Sequence, residues 1–437
     1  MREKSASRFT GKVHVITLGC PKNLVDSEVL SAQLAANGCS LADSLESADM
    51  AIINTCGFID AAKQESIDTI LRVARQKETN GLRKLVVTGC LVERYKRELR
   101  EQLHEVDAFY GTNDLPSILK EFGGEYKYEI LGERISSTPA HYSYLKISEG
   151  CDNPCSFCAI PLMRGKHISK PIEQIVHEAK LLAEKGTKEL IVIGQDTTYY
   201  GLDIYGTREL PKLMEKLNAI EGVEWIRLMY AYPAKFPEDL ISVIRDSEKI
   251  CNYIDIPIQH VSDRILKSMR RGITRRRLEE LLFKIRKNIP GIAIRTTLIV
   301  GYPGEGEREF QELLEFVNNF KFDRLGVFTY SVEEGTTAYS LGDPIPQDEK
   351  ETRHAAIMEA QRKIIQRLNG ATIGKSLRVI VDKKEKANCV GRTSHDAPEI
   401  DSEVIFTGEI SPGEFTDVVI HEAYEHDLYG TIDQGGK

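Results

Sequence analysis

The chain has 437 residues, of which 41% are hydrophobic and 28% charged, an ordinary composition for a soluble globular protein of two or three domains. It shows no signal peptide and no apolar run of about 18 residues, so we expect a cytoplasmic protein without a membrane span. Nine cysteines, an odd number spread over a long chain, favour metal or redox chemistry over a disulfide framework.

The first part of the chain, residues 11–131, alternates between predicted strands and helices. The predicted strands are 12–18, 50–54 and 85–88, and the predicted helices are 23–36, 61–76 and one after the third strand. This alternation is typical of a parallel sheet flanked by helices, so we expect an α/β domain. The polar, Ser- and Pro-containing stretch 131–139 predicts a linker after it.

The middle part, residues 137–368, repeats the strand–helix pattern six times. The predicted strands are 144–147, 189–193, 225–230, 253–258, 294–300 and 325–330, and the long helices between them include 172–185 and 277–287. Six β/α units predict a partial (β/α) barrel, smaller than the eight-unit form.

The last part, residues 371–437, has a different pattern. Short β-type runs at 377–381, 403–406 and 416–420 are separated by glycine and proline, which predicts a small antiparallel β-barrel. This part holds 7 Lys and Arg against 13 Asp and Glu, a net charge of −6, whereas the rest of the chain carries −2.

The strongest motif is the CxxxCxxC loop Cys151-Asp-Asn-Pro-Cys155-Ser-Phe-Cys158, which follows a predicted strand. We call these three cysteines the loop set. They can hold a four-iron cluster and leave one iron without a cysteine, and that iron can bind the amino and carboxylate groups of S-adenosylmethionine. A structural zinc site is the alternative, but it needs a fourth ligand. His167 is a conceivable fourth ligand, although its position favours a surface residue at a helix start.

Three further cysteines, Cys20, Cys56 and Cys90, each follow a predicted strand, with spacings of 36 and 34 residues. We call them the strand-end set. Because ligands gather outside the carboxyl ends of parallel strands, we expect their thiols to converge. A lone cysteine at such a place is usually a buried small hydrophobe. The remaining cysteines, which lack comparable partners and are predicted to be structural, are Cys39, Cys251 and Cys389.

These motifs resemble the radical-SAM methylthiotransferase family over essentially the whole chain. The matching blocks, in order, are Gly19-Cys-Pro-Lys-Asn23 with Asp26-Ser-Glu28, Asn54-Thr-Cys-Gly57, Thr88-Gly-Cys90 and the CxxxCxxC loop. The resemblance implies a methylthiotransferase domain (11–131), a radical-SAM partial barrel (137–368) and a TRAM domain (371–437). It also implies two [4Fe-4S] clusters, one on each cysteine set, and S-adenosylmethionine as radical source and methyl donor.

Two branches of this family differ in substrate. Cys20-Pro-Lys-Asn23, Gln195-Asp-Thr-Thr-Tyr199, Tyr230-Ala-Tyr-Pro233 and Asp396-Ala-Pro-Glu-Ile-Asp401 resemble the RimO subfamily, which methylthiolates an aspartate β-carbon of the twelfth small-subunit ribosomal protein. The resemblance implies as partners this protein, free or within the ribosomal subunit, and an electron-donor protein. The other branch modifies an adenosine of tRNA.

Charge favours the ribosomal protein. RNA affinity is dominated by phosphate contacts, so an acidic last part makes tRNA an unfavourable partner and a basic ribosomal protein a favourable one. The basic stretch Lys267 to Lys287 either contacts RNA or serves solubility, and Glu279 and Glu280 within it favour solubility. A non-catalytic iron–sulfur or zinc-binding protein is the alternative from another class, and the missing fourth ligand of the loop set argues against it.

Contacts to S-adenosylmethionine are expected at four residues. Phe157 lies between loop-set ligands and is expected near the adenine. Gly194 and Gln195 follow a strand where radical-SAM enzymes often carry a Gly-Gly-Glu-like motif for the methionine amino group, from which this sequence departs. Gly301 closes another strand and lines the adenine side or forms a simple turn. Arg164 neutralises a carboxylate or forms a surface salt bridge. No catalytic residue is assigned beyond the cysteines.

Overall fold

The computed structural model describes residues 11–79 and 81–433. Its contacts divide the chain into two compact units. Unit 1 comprises the residues up to Ser137 with Tyr144–Asp152 and Cys158–Leu181, and unit 2 comprises Thr138–Ser143, Asn153–Phe157 and the residues from Leu182 on. Within the described ranges, the helices are too short or too polar for any of them to cross a membrane.

Unit 1 contains a five-stranded parallel sheet with the strand order β2-β1-β3-β4-β5. Its strands are β1 (Lys12–Thr17), β2 (Ser40–Leu41), β3 (Met50–Thr55), β4 (Lys84–Gly89) and β5 (Ala108–Tyr110), and its helices are α1 (Pro21–Ala36), α2 (Asp60–Thr79), α3 (Cys90–Gln102) and α4 (Leu115–Glu121). The predicted α/β domain is therefore confirmed.

The central strand β3 is buried along its whole length. Successive side chains of a strand point to opposite faces, so Ile52 packs with the residues of α1 and α4, and Ile53 packs with those of α2 and α3. Thr17 lies opposite Asn54, and Asn54 lies opposite Thr88. Strands β1, β3 and β4 therefore reach the same edge of the sheet at nearly the same level.

Unit 1 also includes a segment that follows the N-terminal sheet in sequence. Its elements are β7 (Ser148–Glu149), α5 (Ile160–Arg164), β8 (Ile168–Ser169) and α6 (Ile172–Glu184). Strands β7 and β8 form a two-stranded antiparallel sheet. Helix α5 packs on the start of α3, where Ala159 and Met163 are buried against Cys90.

A second parallel sheet has the order β13-β12-β11-β10-β9-β6. Its strands are β6 (Tyr142–Lys146), β9 (Glu189–Ile193), β10 (Trp225–Leu228), β11 (Ile250–Asp255), β12 (Ala293–Val300) and β13 (Arg324–Thr329). The helices between and after them are α7 (Leu202–Tyr205), α8 (Leu210–Asn218), α9 (Asp239–Arg245), α10 (Asp263–Ser268), α11 (Arg275–Asn288), α12 (Glu307–Phe320) and α13 (Gln347–Gly370). These six strands belong to the six β/α units that the sequence predicted.

The last part of unit 2 is a closed five-stranded barrel with the order β14-β15-β16-β18-β17. Its strands are β14 (Ser376–Glu385), β15 (Asn388–Thr393), β16 (Glu403–Thr407), β17 (Phe415–Ala423) and β18 (Asp427–Ile432). The pairing is antiparallel apart from β16 and β18, which run parallel. The predicted small barrel is confirmed.

Two barrel strands, β15 and β18, were not predicted because a glycine interrupts each of them. A Cβ at Gly391 would lie 2.2 Å from the Ile380 carbonyl oxygen, and one at Gly430 would lie 2.3 Å from a Val418 methyl group. The barrel closes so tightly at both positions that only glycine fits, which removes the β-branched signal from the sequence.

Within unit 2, buried ion pairs join the barrel to the parallel sheet. Glu189 of β9 accepts from Arg227 Nε at 2.7 Å and lies 2.8 Å from Arg392 Nη2, while Arg392 Nε donates to Asp382 at 2.6 Å. Burial alone would raise the pKa of Glu189, but the two guanidinium groups outweigh it and hold that pKa below its ordinary value. Glu189 is therefore a buried carboxylate whose charge depends on both arginines.

The substitution Arg392→Met is expected to destabilise unit 2 by about 3–5 kcal/mol, because it leaves the buried Glu189 and the partly buried Asp382 with one cation fewer. Urea denaturation followed by circular dichroism measures the change. The matched control is Lys383→Met in β14, whose half-exposed side chain pairs with Glu385 and should cost less than about 1 kcal/mol. Equal effects of the two substitutions would contradict this account of the barrel contact.

Candidate functional site

The strand-end set gathers at the carboxyl edge of the unit 1 sheet. Cys20 is the residue before α1, Cys56 comes directly after β3, and Cys90 is the first residue of α3. Measured from the aligned residues Thr17, Asn54 and Thr88, they lie three, two and two positions further on. The sheet register thus brings together three cysteines that are far apart in sequence, as the spacing predicted.

Buried polar side chains fix the backbone around these thiols. Asn23 Nδ2 donates to the carbonyls of Leu18 and Thr55 at 2.8 and 3.1 Å, and Asn54 Nδ2 donates to the Asn23 carbonyl at 2.9 Å. Ser66 of α2 exchanges two hydrogen bonds with the backbone of Cys56. The segments that carry Cys20 and Cys56 are therefore held in one arrangement.

Glycines provide the close approach between these segments. Gly19 has φ +87°, and a Cβ there would lie 2.7 Å from Cys56 Cβ and 2.9 Å from its Sγ. A Cβ at Gly57 would lie 2.8 Å from the backbone of Leu91. The Cys56 segment thus touches both the Cys20 segment and the Cys90 segment at positions where no larger residue fits.

The thiols of this set influence each other electrostatically. Burial raises the pKa of Cys56, and the neighbouring Cys20 raises it further. Burial also raises the pKa of Cys90 to about 12, with Cys20 and Cys56 adding to the effect against the opposing charge of Arg164. Without a bound metal Cys90 is therefore a neutral thiol at pH 7, and metal binding has to displace its proton.

Arg164, at the end of α5, is the cation beside this set. Its Nε donates to Cys90 Sγ at 3.3 Å, and its Nη1 donates to Asp26 at 2.6 Å and to Glu149 at 3.1 Å. Its Nη2 also donates to Asn23 Oδ1. The expected surface salt bridge is wrong, since Arg164 is buried, and the carboxylates that it neutralises are those of the protein itself.

The loop set is divided between the two units, with Cys151 and Cys158 in unit 1 and Cys155 in unit 2. All three are partly exposed. In unit 1 the Cys151 amide donates to the Gly165 carbonyl at 3.1 Å. A Cβ at Gly150, which has φ +72°, would lie 2.0 Å from the Lys166 carbonyl oxygen. The start of the CxxxCxxC loop is therefore fixed by its own backbone contacts.

In unit 2, Cys155 is contacted by two residues that were not predicted from the sequence to belong to the site. Arg271 Nη1 donates to Cys155 Sγ at 3.1 Å, and the Tyr232 hydroxyl lies 3.6 Å from the same sulfur. The Arg271 guanidinium stacks over the Tyr232 ring at 4.2 Å. Arg271 was counted in the basic stretch as a solubility charge, and that interpretation is wrong for this residue because it is buried.

Four other cations of the basic stretch have carboxylate neighbours. Arg275 and Glu279, Arg276 and Glu280, and Lys284 and Glu238 form exposed pairs, and Arg286 pairs with Asp323. This pairing agrees with the solubility interpretation for these four residues.

The residues expected to contact S-adenosylmethionine lie in unit 2. Gly194 and Gln195 come directly after β9, and the next residue, Asp196, accepts a hydrogen bond from Asn153 of the CxxxCxxC loop at 2.7 Å. Phe157 packs against a buried cluster that includes Tyr302 and Tyr330. The structure therefore places the end of β9 beside the middle of the loop.

Gly301 follows β12 with φ +76°. A Cβ there would lie 2.4 Å from Cγ of the buried Lys350 side chain, which donates to the Tyr330 carbonyl. The Gly301 amide donates to Glu305 at 3.1 Å. Close packing on Lys350 therefore accounts for the glycine at this position.

His167 was predicted to be a surface residue at a helix start, and this is wrong. It is buried just before β8, where its amide donates to Asp152 at 3.0 Å and its Nε2 lies 3.0 Å from Ser169 Oγ. The three cysteines predicted to be structural are all buried, namely Cys39, Cys251 and Cys389.

The chemistry of the donors fits iron–sulfur binding, because the ligands of a [4Fe-4S] cluster are cysteine thiolates, each bound to a different iron. Three converging thiols with glycine clearance and a neighbouring arginine match that requirement in the strand-end set.

Comparison with known proteins identifies the family. Residues 12–111 match the uncharacterized protein family UPF0004, residues 145–317 the radical SAM superfamily and residues 373–432 the TRAM domain. A protein of Cytophaga hutchinsonii named ribosomal protein uS12 methylthiotransferase RimO is 53% identical over 96% of this chain and 98% of its own. A Flavobacterium johnsoniae protein of the same name is 53% identical over 98% of this chain and 99% of its own.

The chain belongs to the RimO family of methylthiotransferases. This confirms the radical-SAM methylthiotransferase, and its RimO branch, that the cysteine motifs predicted.

Solved structures show the same fold at low identity. The radical S-adenosylmethionine methyltransferase TsrM from Kitasatospora setae, with cobalamin and a [4Fe-4S] cluster bound, has a TM-score of 0.56 and 13% identity, covering 74% of this chain and 75% of its own. The cobalamin-dependent S-adenosylmethionine radical enzyme OxsB has a TM-score of 0.50 over 81% of this chain. These likenesses are in the fold.

The substitution Gly19→Ala is expected to lower the iron content of the reconstituted protein, because the added Cβ displaces Cys56 from the strand-end set. Iron and sulfide per chain measure the loss. The control Gly38→Ala has the same backbone strain, with φ +86°, but nothing within 4 Å of the added Cβ. If both variants retain the iron content of the parent, the close approach at Gly19 does not matter for metal binding.

Proposed function

We propose that this chain attaches a methylthio group to the β-carbon of an aspartate in ribosomal protein uS12. The observation that carries the proposal is the presence of two separate three-cysteine sets in a chain that matches uS12 methylthiotransferases over nearly its full length. We assign the loop set to radical generation and the strand-end set to holding the sulfur that is transferred.

In this proposal each cysteine set holds one [4Fe-4S] cluster. The loop set leaves one iron open for S-adenosylmethionine, and Phe157, Gly194, Gln195 and Gly301 are its proposed contacts. When bound, these groups supply one-electron cleavage of S-adenosylmethionine, hydrogen abstraction, and the sulfur and methyl group. The assigned domains are 11–131 for the auxiliary cluster, 137–368 for the radical chemistry and 371–437 for the small barrel.

The protein's own residues prepare the two sites. An aspartate β-carbon is too weakly acidic for side-chain bases at pH 7, so the chain holds cofactors and substrate in place instead of transferring that proton itself. Arg271, with Tyr232 stacked on it, covers Cys155 and limits the access of water to this sulfur. Asn153 and Asp196 tie the CxxxCxxC loop to the end of β9.

The charge of the barrel favours a basic protein as substrate. Residues 371–437 carry a net charge of −6. Three of their acidic side chains form ion pairs with arginines of unit 2, namely Asp382, Asp396 and Asp401. Acidic side chains such as Glu414, Asp417 and Glu422 are exposed. They attract a basic ribosomal protein and repel RNA, so tRNA is not the proposed substrate.

The reaction also needs partners. Cleavage of S-adenosylmethionine requires an electron, which we assign to an electron-donor protein. Since ribosomal proteins are made and assembled in the cytoplasm, the enzyme acts there, on uS12 either free or within the small subunit.

Mass spectrometry of ribosomal proteins and tRNA from cells with and without the gene tests the proposal. We expect uS12 to gain the mass of one sulfur and one CH2 group, and to lose this gain when the gene is deleted. Loss of a methylthioadenosine from tRNA with uS12 unchanged would show the tRNA branch of the family to be right instead.

In the purified enzyme, substitutions in the two cysteine sets are expected to affect different steps of the reaction. Cys155→Ala should abolish both S-adenosylmethionine cleavage and methylthiolation, whereas Cys20→Ala should abolish methylthiolation and leave the reductive cleavage to 5′-deoxyadenosine. Chromatography of the nucleoside product and mass spectrometry of a uS12 peptide give the two readings. Cys39→Ala, a buried cysteine outside both sets, is the control and should keep both activities.

A further inference from the structure

In each cysteine set, one sulfur receives a hydrogen bond from a buried arginine. Arg164 Nε donates to Cys90 Sγ at 3.3 Å within unit 1, and Arg271 Nη1 donates to Cys155 Sγ at 3.1 Å within unit 2. Arg164 is 3% exposed and Arg271 is 4% exposed. Burying a guanidinium is costly unless its donors and charge are satisfied, so the placement of both arginines against sulfur needs an explanation.

Arg164 belongs to a charge-balanced cluster. Besides Cys90, it binds Asp26 and Glu149, and Lys146 binds the same two carboxylates. Two cations thus meet two anions, and the cluster adds no net charge to the site. What distinguishes Arg164 from Lys146 is its Nε–H group, which is directed at the sulfur of a strand-end cysteine.

Arg271 is held mainly by neutral groups. Its Nη2 donates to the Pro257 carbonyl, its plane lies on the Tyr232 ring, and the Tyr232 hydroxyl donates to the Arg271 carbonyl at 2.8 Å. Asp196 acts on it electrostatically but accepts its hydrogen bonds from Asn153 and Thr198. The positive charge beside Cys155 is therefore less compensated than the one beside Cys90.

We propose that Arg164 and Arg271 are positioning residues that donate to one ligand sulfur of each cluster and raise the reduction potential of that cluster. This inference rests on the proposed function, which assigns a cluster to each cysteine set. Hydrogen bonds to the sulfurs and nearby positive charge both stabilise the more negative, reduced cluster. Because Arg271 is less compensated, its effect is the larger of the two.

The two potentials are measured separately in single-cluster proteins. The triple variant Cys151→Ala/Cys155→Ala/Cys158→Ala retains only the strand-end set, and Cys20→Ala/Cys56→Ala/Cys90→Ala retains only the loop set. Each arginine is replaced by Met and by Lys in both proteins. Iron and sulfide per chain are measured first, and the midpoint potential is then obtained from a redox titration followed by electron paramagnetic resonance.

We expect each Met substitution to lower only the potential of its own cluster. Arg271→Met should shift the reduction equilibrium of the loop-set cluster at least tenfold, equal to about 59 mV for one electron, and Arg164→Met should shift that of the other cluster in the same direction. The controls are Arg134→Met in unit 1 and Arg353→Met in unit 2, two buried arginines with carboxylate partners, which should leave both potentials unchanged.

Potentials that equal the parent's in all four arginine variants would overturn the inference and leave the proposed function intact. If the parent chain and both triple variants all fail to bind iron, the cluster assignment is wrong, and the inference fails with it. If a Met variant loses its iron, the Lys variant at the same position is measured in its place. If both variants lose their iron but unfold at the same temperature as the Arg134→Met or Arg353→Met control, the result supports the arginine as the group that positions the ligand sulfur.

Discussion

The burial of Arg164 beside Cys90 is the interaction on which the arrangement of unit 1 depends. A buried guanidinium requires carboxylates and acceptors around it, and here they come from α1, through Asn23 and Asp26, and from β7, through Glu149. Helix α5, which carries Arg164, begins two residues after Cys158. One short helix therefore connects the last cysteine of the CxxxCxxC loop, along the chain, to the strand-end thiols.

The register of the unit 1 sheet is the second constraint. The three strand-end cysteines lie at nearly equal distances beyond residues that are aligned across β1, β3 and β4. A shift of one residue in any of these strands would turn its side chains to the opposite face, and would move its cysteine out of line with the other two. The strand pairing that stabilises the sheet therefore also sets where the thiols lie.

Unit 2 shows how charge is used inside this protein. Buried carboxylates such as Glu189 and Asp396 join the small barrel to the parallel sheet through arginines. Removing one member of such a group is costly because the others remain buried and charged. Part of the negative charge of the barrel therefore stabilises the fold, through the ion pairs of Asp382, Asp396 and Asp401 with arginines.

The sequence alone determined the strand–helix alternation, the six β/α units and the two cysteine sets, because hydrophobic periodicity and short motifs are local properties of a chain. It also determined the family, since the cysteine blocks occur in a fixed order. It did not predict β15 and β18, where Gly391 and Gly430 are needed for clearance between strands that are distant in sequence.

Tertiary structure decided which charged residues belong to the sites. Arg271 lies in a basic stretch that looks like a solvated helix surface, yet it is buried against Cys155, and Arg164 is paired with carboxylates from two other segments. His167 is likewise inside the protein. Burial and partners of a charged side chain depend on contacts between remote segments, and no local pattern in a single sequence encodes them. The sequence therefore identified the sulfur ligands, and the fold identified the groups that act on them.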